Sequence, residues 1–178
     1  MSGTLRAVLA STSLFLASHS FAQPASSPPS RSTVLEAAKE VMAKAAYCAL
    51  ITVGDEGQPQ ARVVDPFAPE ADMTVWIATK PVTRKVAQIR KNDRVTLFYF
   101  DRQGMGYVTL IGRAQLVTDA AEKEKHWKEG WAAFYEDKNH GPDYLLIRVK
   151  PTRLEMVSYA HALTGDPKTW RPIEINLR

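Results

Sequence analysis

One cysteine, four histidines and no apolar run long enough to span a bilayer restrict what this 178-residue chain can be. A single thiol rules out an internal disulfide framework, and Cys48, inside the apolar run Tyr47 to Val53, reads as a small core residue. The histidines, His19, His126, His140 and His161, are far apart and form no His-x-x-x-His or Cys/His cluster, so a zinc or catalytic metal site has no ligand set. Neither a Gly-x-Ser-x-Gly elbow nor a Ser/His/Asp set supports hydrolase chemistry. The formal charge of +4 comes from scattered basic residues with no stripe of aromatics and Lys/Arg, which gives no footprint for nucleic acid.

The beginning of the chain has the pattern of an address. A short segment with one cation, Arg6, precedes an apolar stretch from Ala7 to Ala17, and Ser20-Phe21-Ala22 is a small-x-small cleavage site. The stretch is about half the roughly 20 residues a membrane helix needs. The expectation is a Sec-type signal peptide over residues 1–22, cleaved near Ala22. No adjacent arginine pair marks a twin-arginine signal. The mature protein is expected to be periplasmic or secreted, with no stable membrane insertion, and any cofactor is acquired after export. Residues 23–32, rich in Pro and Ser, read as an extended linker. One domain is expected over residues 33–160, followed by a C-terminal tail over 161–178.

Periodicity and punctuation supply the elements. Thr33-Val-Leu-Glu36 is a capping box opening a helix to about Ala46. Tyr47 to Val53 and Gln60 to Val64 flank the turn Gly54 to Gly57 as a hairpin, with Pro66 and Pro69 ending its second strand. Met73 to Thr79 is a strand, Thr83 to Lys91 a short helix, and Arg94 to Phe100 and Tyr107 to Val117 are further strands, with Gly112 marking a bulge. A helix from Asp119 to Phe134 would stack Trp127, Trp131 and Phe134, and Tyr144 to Val149 and Arg153 to Tyr159 are the last two strands. Six or seven antiparallel strands with helices at three places predict a β-barrel with added helices, an α+β fold. The tail, with an isolated Trp170, is expected to lie across a neighbour or over the surface.

The junction Thr79-Lys-Pro-Val-Thr-Arg-Lys85 holds the most chemistry. Thr83 is a good N-cap, which places Arg84 and Lys85 in the first helical turn, where the helix dipole disfavours cations. Two cations there invite an anion. A phosphate would accept the free N–H groups of that turn, the Thr hydroxyls and both basic side chains. On spacing alone, cations simply fanning into solvent are an equally good account.

Taken together, the strand ending in Arg62-Val-Val, the strand ending in Trp76-Ile-Ala-Thr79, and Thr79-x-x-x-Thr83-Arg84-Lys85 resemble the pyridoxamine 5'-phosphate oxidase-like superfamily. The resemblance covers about Val34 to Tyr159. Tyr107-Val-Thr-Leu-Ile-Gly112 resembles the family strand that passes the cofactor, and Trp127-x-x-x-Trp131-x-x-Phe134 followed by Gly141-Pro-Asp143 is similar to its general stress protein 26 branch. The resemblance implies an FMN-binding split barrel and a homodimer. Arg62, Arg84 and Lys85 would grip the phosphate, with Thr79 and Thr83 as hydroxyl donors. Backbone near Val63, Val64 and Ala78 would lie along the isoalloxazine ring, and Tyr107 stands where the oxidase has a glutamine at the flavin. FAD, haem or a deazaflavin are alternative cofactors. Phe67 replaces the oxidase lysine that meets the substrate, and the later substrate-phosphate segments have no counterpart, so pyridoxamine 5'-phosphate oxidation itself is not expected. What remains is a flavin-dependent oxidoreductase of unknown substrate or a non-catalytic binding, storage or stress module; no catalytic residue is assigned.

Overall fold

The computed structural model describes residues 28–178; the expected signal peptide over residues 1–22 and the first half of the expected linker lie outside them. Helix α1 (Arg31–Ala45) is followed by β1 (Cys48–Val53), β2 (Pro59–Val64), β3 (Val75–Thr79), α2 (Arg84–Lys91), β4 (Arg94–Asp101), β5 (Gly106–Val117), α3 (Ala120–Lys125), β6 (Leu145–Ser158) and β7 (Ile173–Asn176). All the strand pairings are antiparallel, in the order β2-β1-β4-β5-β6-β3, with β7 added to β6. Strands at the two ends of that order, β2 and β3, approach each other without closing the sheet. They are joined by an isolated bridge, Pro66 to Ile77, and by the Phe67 N–H donating to the Trp76 carbonyl at 2.9 Å. This split positions everything that follows.

Burial alternates along the strands as a curled sheet requires. Leu50, Leu97, Leu110 and Leu154, on adjacent strands, turn inward and are fully buried, and α1 covers them with Val34, Ala38, Val41 and Met42. Cys48 joins this core, as its apolar context suggested.

Several boundaries differ from the sequence expectation for physical reasons. Helix α1 starts before the Thr33 capping box, because the Ser30 hydroxyl accepts from the Thr33 N–H at 3.1 Å and takes the N-cap position itself. Residues 31–32 therefore belong to the helix and not to the linker. The two strands expected on either side of Pro151 are one 14-residue strand, β6. Proline, lacking an N–H, is tolerated because it lies opposite Gly112, where the β5–β6 register shifts. Gly112 is the expected bulge: a Cβ there would stand 2.6 Å from the Pro151 Cα, which only glycine avoids. The tail returns to its own chain, with Ile173–Asn176 forming β7 on β6, and Trp170 stays exposed at its turn.

The helix expected from Asp119 to Phe134 stops at Lys125. The Asp119 carboxylate caps it by accepting from the Glu122 N–H at 3.0 Å, but His126 leaves the helical region and only a 3-10 turn, Glu129–Trp131, follows. The aromatics face different partners. Trp127 meets Tyr144 with ring centroids 5.5 Å apart, Trp131 meets Phe67 at 5.4 Å, and Phe134 is exposed. One helical face cannot serve these directions, and burying the tryptophans around Trp76, Tyr144 and Leu146 outweighs helix propensity.

Candidate functional site

Between the ends of β2 and β3 lies a slot of about 220 Å³, lined by Val63, Val64, Asp65, Ala78, Lys85, Trp131, Phe134 and Tyr135. Strand alternation explains its first wall. Gln60, Arg62 and Val64 point toward the barrel interior while Ala61 and Val63 point out. The second wall is the end of β3 and the first turn of α2.

Arg62 is held from within the barrel. Its Nη1 donates to the Thr52 hydroxyl at 2.6 Å and the Leu50 carbonyl at 3.1 Å, and its Nη2 donates to Gln88 Oε1 at 3.1 Å. Gln88, buried on α2, also accepts from the Thr52 hydroxyl at 2.5 Å and donates to Gln60 Oε1 at 2.8 Å. These partners are all neutral. Among the described residues no carboxylate pairs with Arg62, Arg84 or Lys85, although several other surface cations, such as Lys91 with Asp55, do find one. Burial, and then the charge of Arg84, pulls the Arg62 guanidinium below its ordinary value. Burial, and then Arg62, does the same to the Lys85 ammonium. The three cations repel one another with no internal counter-charge, which is the condition a bound anion relieves.

Thr83 stands at the N-cap of α2, but its hydroxyl donates to the Lys80 carbonyl at 2.9 Å and lies 3.3 Å from the Thr79 hydroxyl, so it makes no capping bond. The N–H groups of Arg84 and Lys85 find no acceptor among the described residues. Two cations, two open N–H groups and two hydroxyls thus converge where the sequence placed a phosphate. The two cations diverge beyond that point. Lys85 lines the slot, whereas Arg84 lines an adjoining polar cleft of about 440 Å³ with Gln60 and Gln88. Tyr107 does not line the slot. It lies on the outer face of β5, its ring 5.7 Å from that of Phe98.

Four features of the site were not legible in the sequence. Gln88 and Thr52 orient Arg62 from 26 and 10 residues away. Asp65, read as a turn former, accepts from Lys128 Nζ at 2.6 Å and from the Trp131 indole at 3.1 Å, which neutralises it and fixes Trp131 against the slot. Tyr135 brings a hydroxyl whose pKa is pushed up to about 12, chiefly by burial and then by Asp143. Only the aromatic spacing of this region hinted that it mattered. A Ser158–His161–Glu40 relay, with spacings of 2.8 and 3.0 Å, also forms, but Ser158 is buried and packed against Gly106, so it pins α1 to the end of β6 and offers no accessible nucleophile.

An unclosed antiparallel barrel with uncompensated cations at its split defines a split-barrel domain with a basic cluster beside a slot. The chain belongs to the pyridoxamine 5'-phosphate oxidase family, whose sequence profile, described as Pyridoxamine 5'-phosphate oxidase, matches residues 34–158. It is 26% identical over 106 residues to General stress protein 26 of Bacillus subtilis (strain 168), spanning 58% of this chain and 74% of that protein. A Clostridium acetobutylicum structure related to general stress protein 26 superposes with a TM-score of 0.68 at 19% identity, covering 83% of this chain and 96% of that one. A pyridoxamine 5'-phosphate oxidase-related, FMN-binding protein from Nostoc punctiforme PCC 73102 gives 0.54 at 16% identity, covering 86% and 98%. A heme binding protein from Mycobacterium smegmatis gives 0.61 at 19% identity, covering 85% and 60%. At these identities the structural likenesses speak for the fold alone.

Proposed function

We propose that this protein is an exported FMN-binding split-barrel protein that acts as a flavin-dependent oxidoreductase on a small molecule. The observation that carries the reading is the Arg62, Arg84 and Lys85 cluster, which has no carboxylate partner among the described residues and sits beside a slot where Val63, Val64, Ala78 and the rings of Trp131 and Phe134 stand with Asp65, Tyr135 and Lys85 itself. A phosphate accepts from Lys85, Arg84, the first-turn N–H groups and the Thr79 hydroxyl, and from Thr83 once its hydroxyl turns away from the Lys80 carbonyl, while Arg62, held by Gln88 and Thr52, supplies fixed positive charge. The backbone at Val63, Val64 and Ala78 and the rings of Trp131 and Tyr135 are the surfaces for the flavin. FMN supplies the redox chemistry when bound, and the protein binds, orients and shields it. The open first-turn N–H groups beside the cations suit one compact phosphate better than the two separate propionates of haem, which favours FMN.

The outer face of the sheet supports a homodimer. Val63 on β2 and Phe98 and Phe100 on β4 are exposed with β1 between them, Val63 at 74%, and Tyr107 and Val157 extend the same apolar surface. A second copy seated there covers Tyr107 and the open side of the slot. Sedimentation of the purified protein reads a dimer, and Phe98→Glu shifts it to monomer; a wild-type monomer that binds FMN tightly refutes the arrangement.

Titration with FMN, FAD and riboflavin tests the cofactor. Tight FMN and weak riboflavin binding support a phosphate-anchored site, and equal affinities refute it. A binding module without turnover is the second reading, favoured by the heme binding protein of the same fold. Anaerobic reduction of the bound flavin by NADH, NADPH or a thiol, followed by reoxidation, separates the two. Phe67, packed between His126 and Trp131, takes the place of the oxidase lysine on this strand, and the lysine that stands over its ring, Lys128, is tied to Asp65 and the Pro66 carbonyl. Hydrogen peroxide release from pyridoxamine 5'-phosphate would therefore overturn the exclusion of that substrate.

A further inference from the structure

At one end of the barrel two tight loops stand side by side. The β4–β5 turn, residues 102–105, and the segment 164–172 that leads into β7 share this end, because Gly106 pairs with Ser158, Ser158 bridges to Leu163, and Ile173 pairs with Met156. Neighbouring strands lie about 4.8 Å apart, which sets the two tips, two strand spacings from each other, about 10 Å apart.

Each tip turns its aspartate onto its own backbone. Asp101 Oδ1 accepts from the Gln103 and Gly104 N–H groups, both at 3.0 Å, and Asp166 Oδ1 accepts from those of Lys168 at 2.7 Å and Thr169 at 3.0 Å. The second loop is closed further by the Asp166 N–H donating to the Arg171 carbonyl and the Trp170 N–H to the Asp166 carbonyl, both at 2.9 Å. Each loop then presents a large apolar side chain from left-handed backbone, which such residues seldom adopt: Met105 at φ 48, 61% exposed, and Trp170 at φ 59, 83% exposed. An asparagine would suit both that backbone and the solvent better. Tyr159, where β6 ends between the two tips, is also 61% exposed. Strained backbone that holds apolar side chains in water marks a surface that meets something.

The charge around these side chains has one sign. Arg102, Lys168 and Arg171 are exposed and form no ion pair among the described residues, while the carboxylates of Asp101 and Asp166 are engaged as above and Glu40 is held by His161. Tryptophan and tyrosine flanked by lysine and arginine suit the headgroup layer of a bilayer, where rings lie among the glycerol groups and cations meet lipid phosphates. A second copy fits less well. The tips are convex, and a two-fold axis through them would set the three cations against the same three.

We propose that this end of the barrel docks on the surface of an anionic lipid bilayer. Trp170, Met105 and Tyr159 enter the headgroup layer, and Arg102, Lys168 and Arg171 meet the lipid phosphates. The protein lies on the membrane without crossing it, and the inference does not rest on the flavin reading.

The test sediments the mature protein, from Gln23, with vesicles of phosphatidylcholine alone and of phosphatidylcholine mixed with phosphatidylglycerol. The expected result is binding to the mixed vesicles that weakens with added salt, with a blue shift of tryptophan emission that Trp170→Asn removes. Trp170→Asn should weaken binding about tenfold or more, by loss of the buried ring. Arg102→Gln and Lys168→Gln should each weaken it about fivefold, the worth of one charge near an anionic surface. Because asparagine tolerates the left-handed backbone, the Trp170→Asn protein should melt no lower than wild type. Absence of binding to the mixed vesicles overturns the proposal, as do equal binding to both compositions and binding unchanged by Trp170→Asn. A Trp170→Asn protein that melts lower would show that the ring packs on its own chain. One that sediments as a smaller species would give the tips to a second copy, and one that loses FMN affinity would place the ring at the flavin; each of these also overturns it.

Discussion

Replacing Lys85 by methionine should make the flavin-free protein more stable and the flavin complex weaker. The ammonium is half-buried, repelled by Arg62 and without a carboxylate partner among the described residues, while methionine keeps the apolar stem and drops the charge. A partly screened charge pair is worth about 0.2 to 1 kcal/mol, and the variant should gain within that range. Its pH dependence has a definite sign. Because the folded-state pKa of Lys85 lies below its ordinary value of 10.5, folding disfavours its charged form. The gain is therefore full below the folded pKa and fades as pH rises toward 10.5. Binding should move the other way. A charge-assisted hydrogen bond to phosphate is worth about 1.5 to 3 kcal/mol, so the FMN dissociation constant should rise about 10- to 150-fold while riboflavin, without a phosphate, is unaffected. Urea denaturation between pH 7 and pH 10 and flavin fluorescence quenching read the two effects. Unchanged FMN affinity would remove the loop as the phosphate site, and a less stable flavin-free variant would show that the ammonium was already compensated.

Gln88→Ala strips Arg62 and Thr52 of a shared acceptor and should cost about 1 to 3 kcal/mol of stability together with part of the FMN affinity; a variant equal to wild type in both would show that Gln88 does not orient Arg62. Gly112→Ala forces a methyl group against the β6 backbone at Pro151 and should cost about 1 to 3 kcal/mol in denaturant melts, with an unaltered midpoint refuting the close approach. Cys48 is buried and its thiol is pushed up to about 12, chiefly by desolvation, so a thiol reagent at pH 8 should label it only at the rate of global opening. Rapid stoichiometric labelling of native protein would contradict its place in the core.

Arg62 was joined to the first turn of α2 only by the family resemblance, whereas the periodicities of β1 to β5, the Gly112 bulge, the core role of Cys48 and the basic first turn Thr83-Arg84-Lys85 were all readable in the sequence. Each depends on local chemistry: alternation on a pleated strand, the steric freedom of glycine, the N-terminus of a short helix. The early start of α1 was missed because Ser30 and Thr33 are both competent caps, and which one acts depends on how much helix the sheet can cover. Residues 126–135 were misread because helix propensity is a weak force beside the burial of several large rings, whose partners Trp76 and Tyr144 are distant in the chain.

The sequence by itself determined an antiparallel β-rich domain with a basic strand-to-helix junction, since these follow from residue order within a few turns. Only the tertiary structure decided that β2 and β3 stop short of closure, that Gln88 and Thr52 hold Arg62, and that Asp65 tethers Trp131 to the slot. Those outcomes depend on the curvature of the sheet and on side chains meeting across long sequence separations, and no local pattern specifies either.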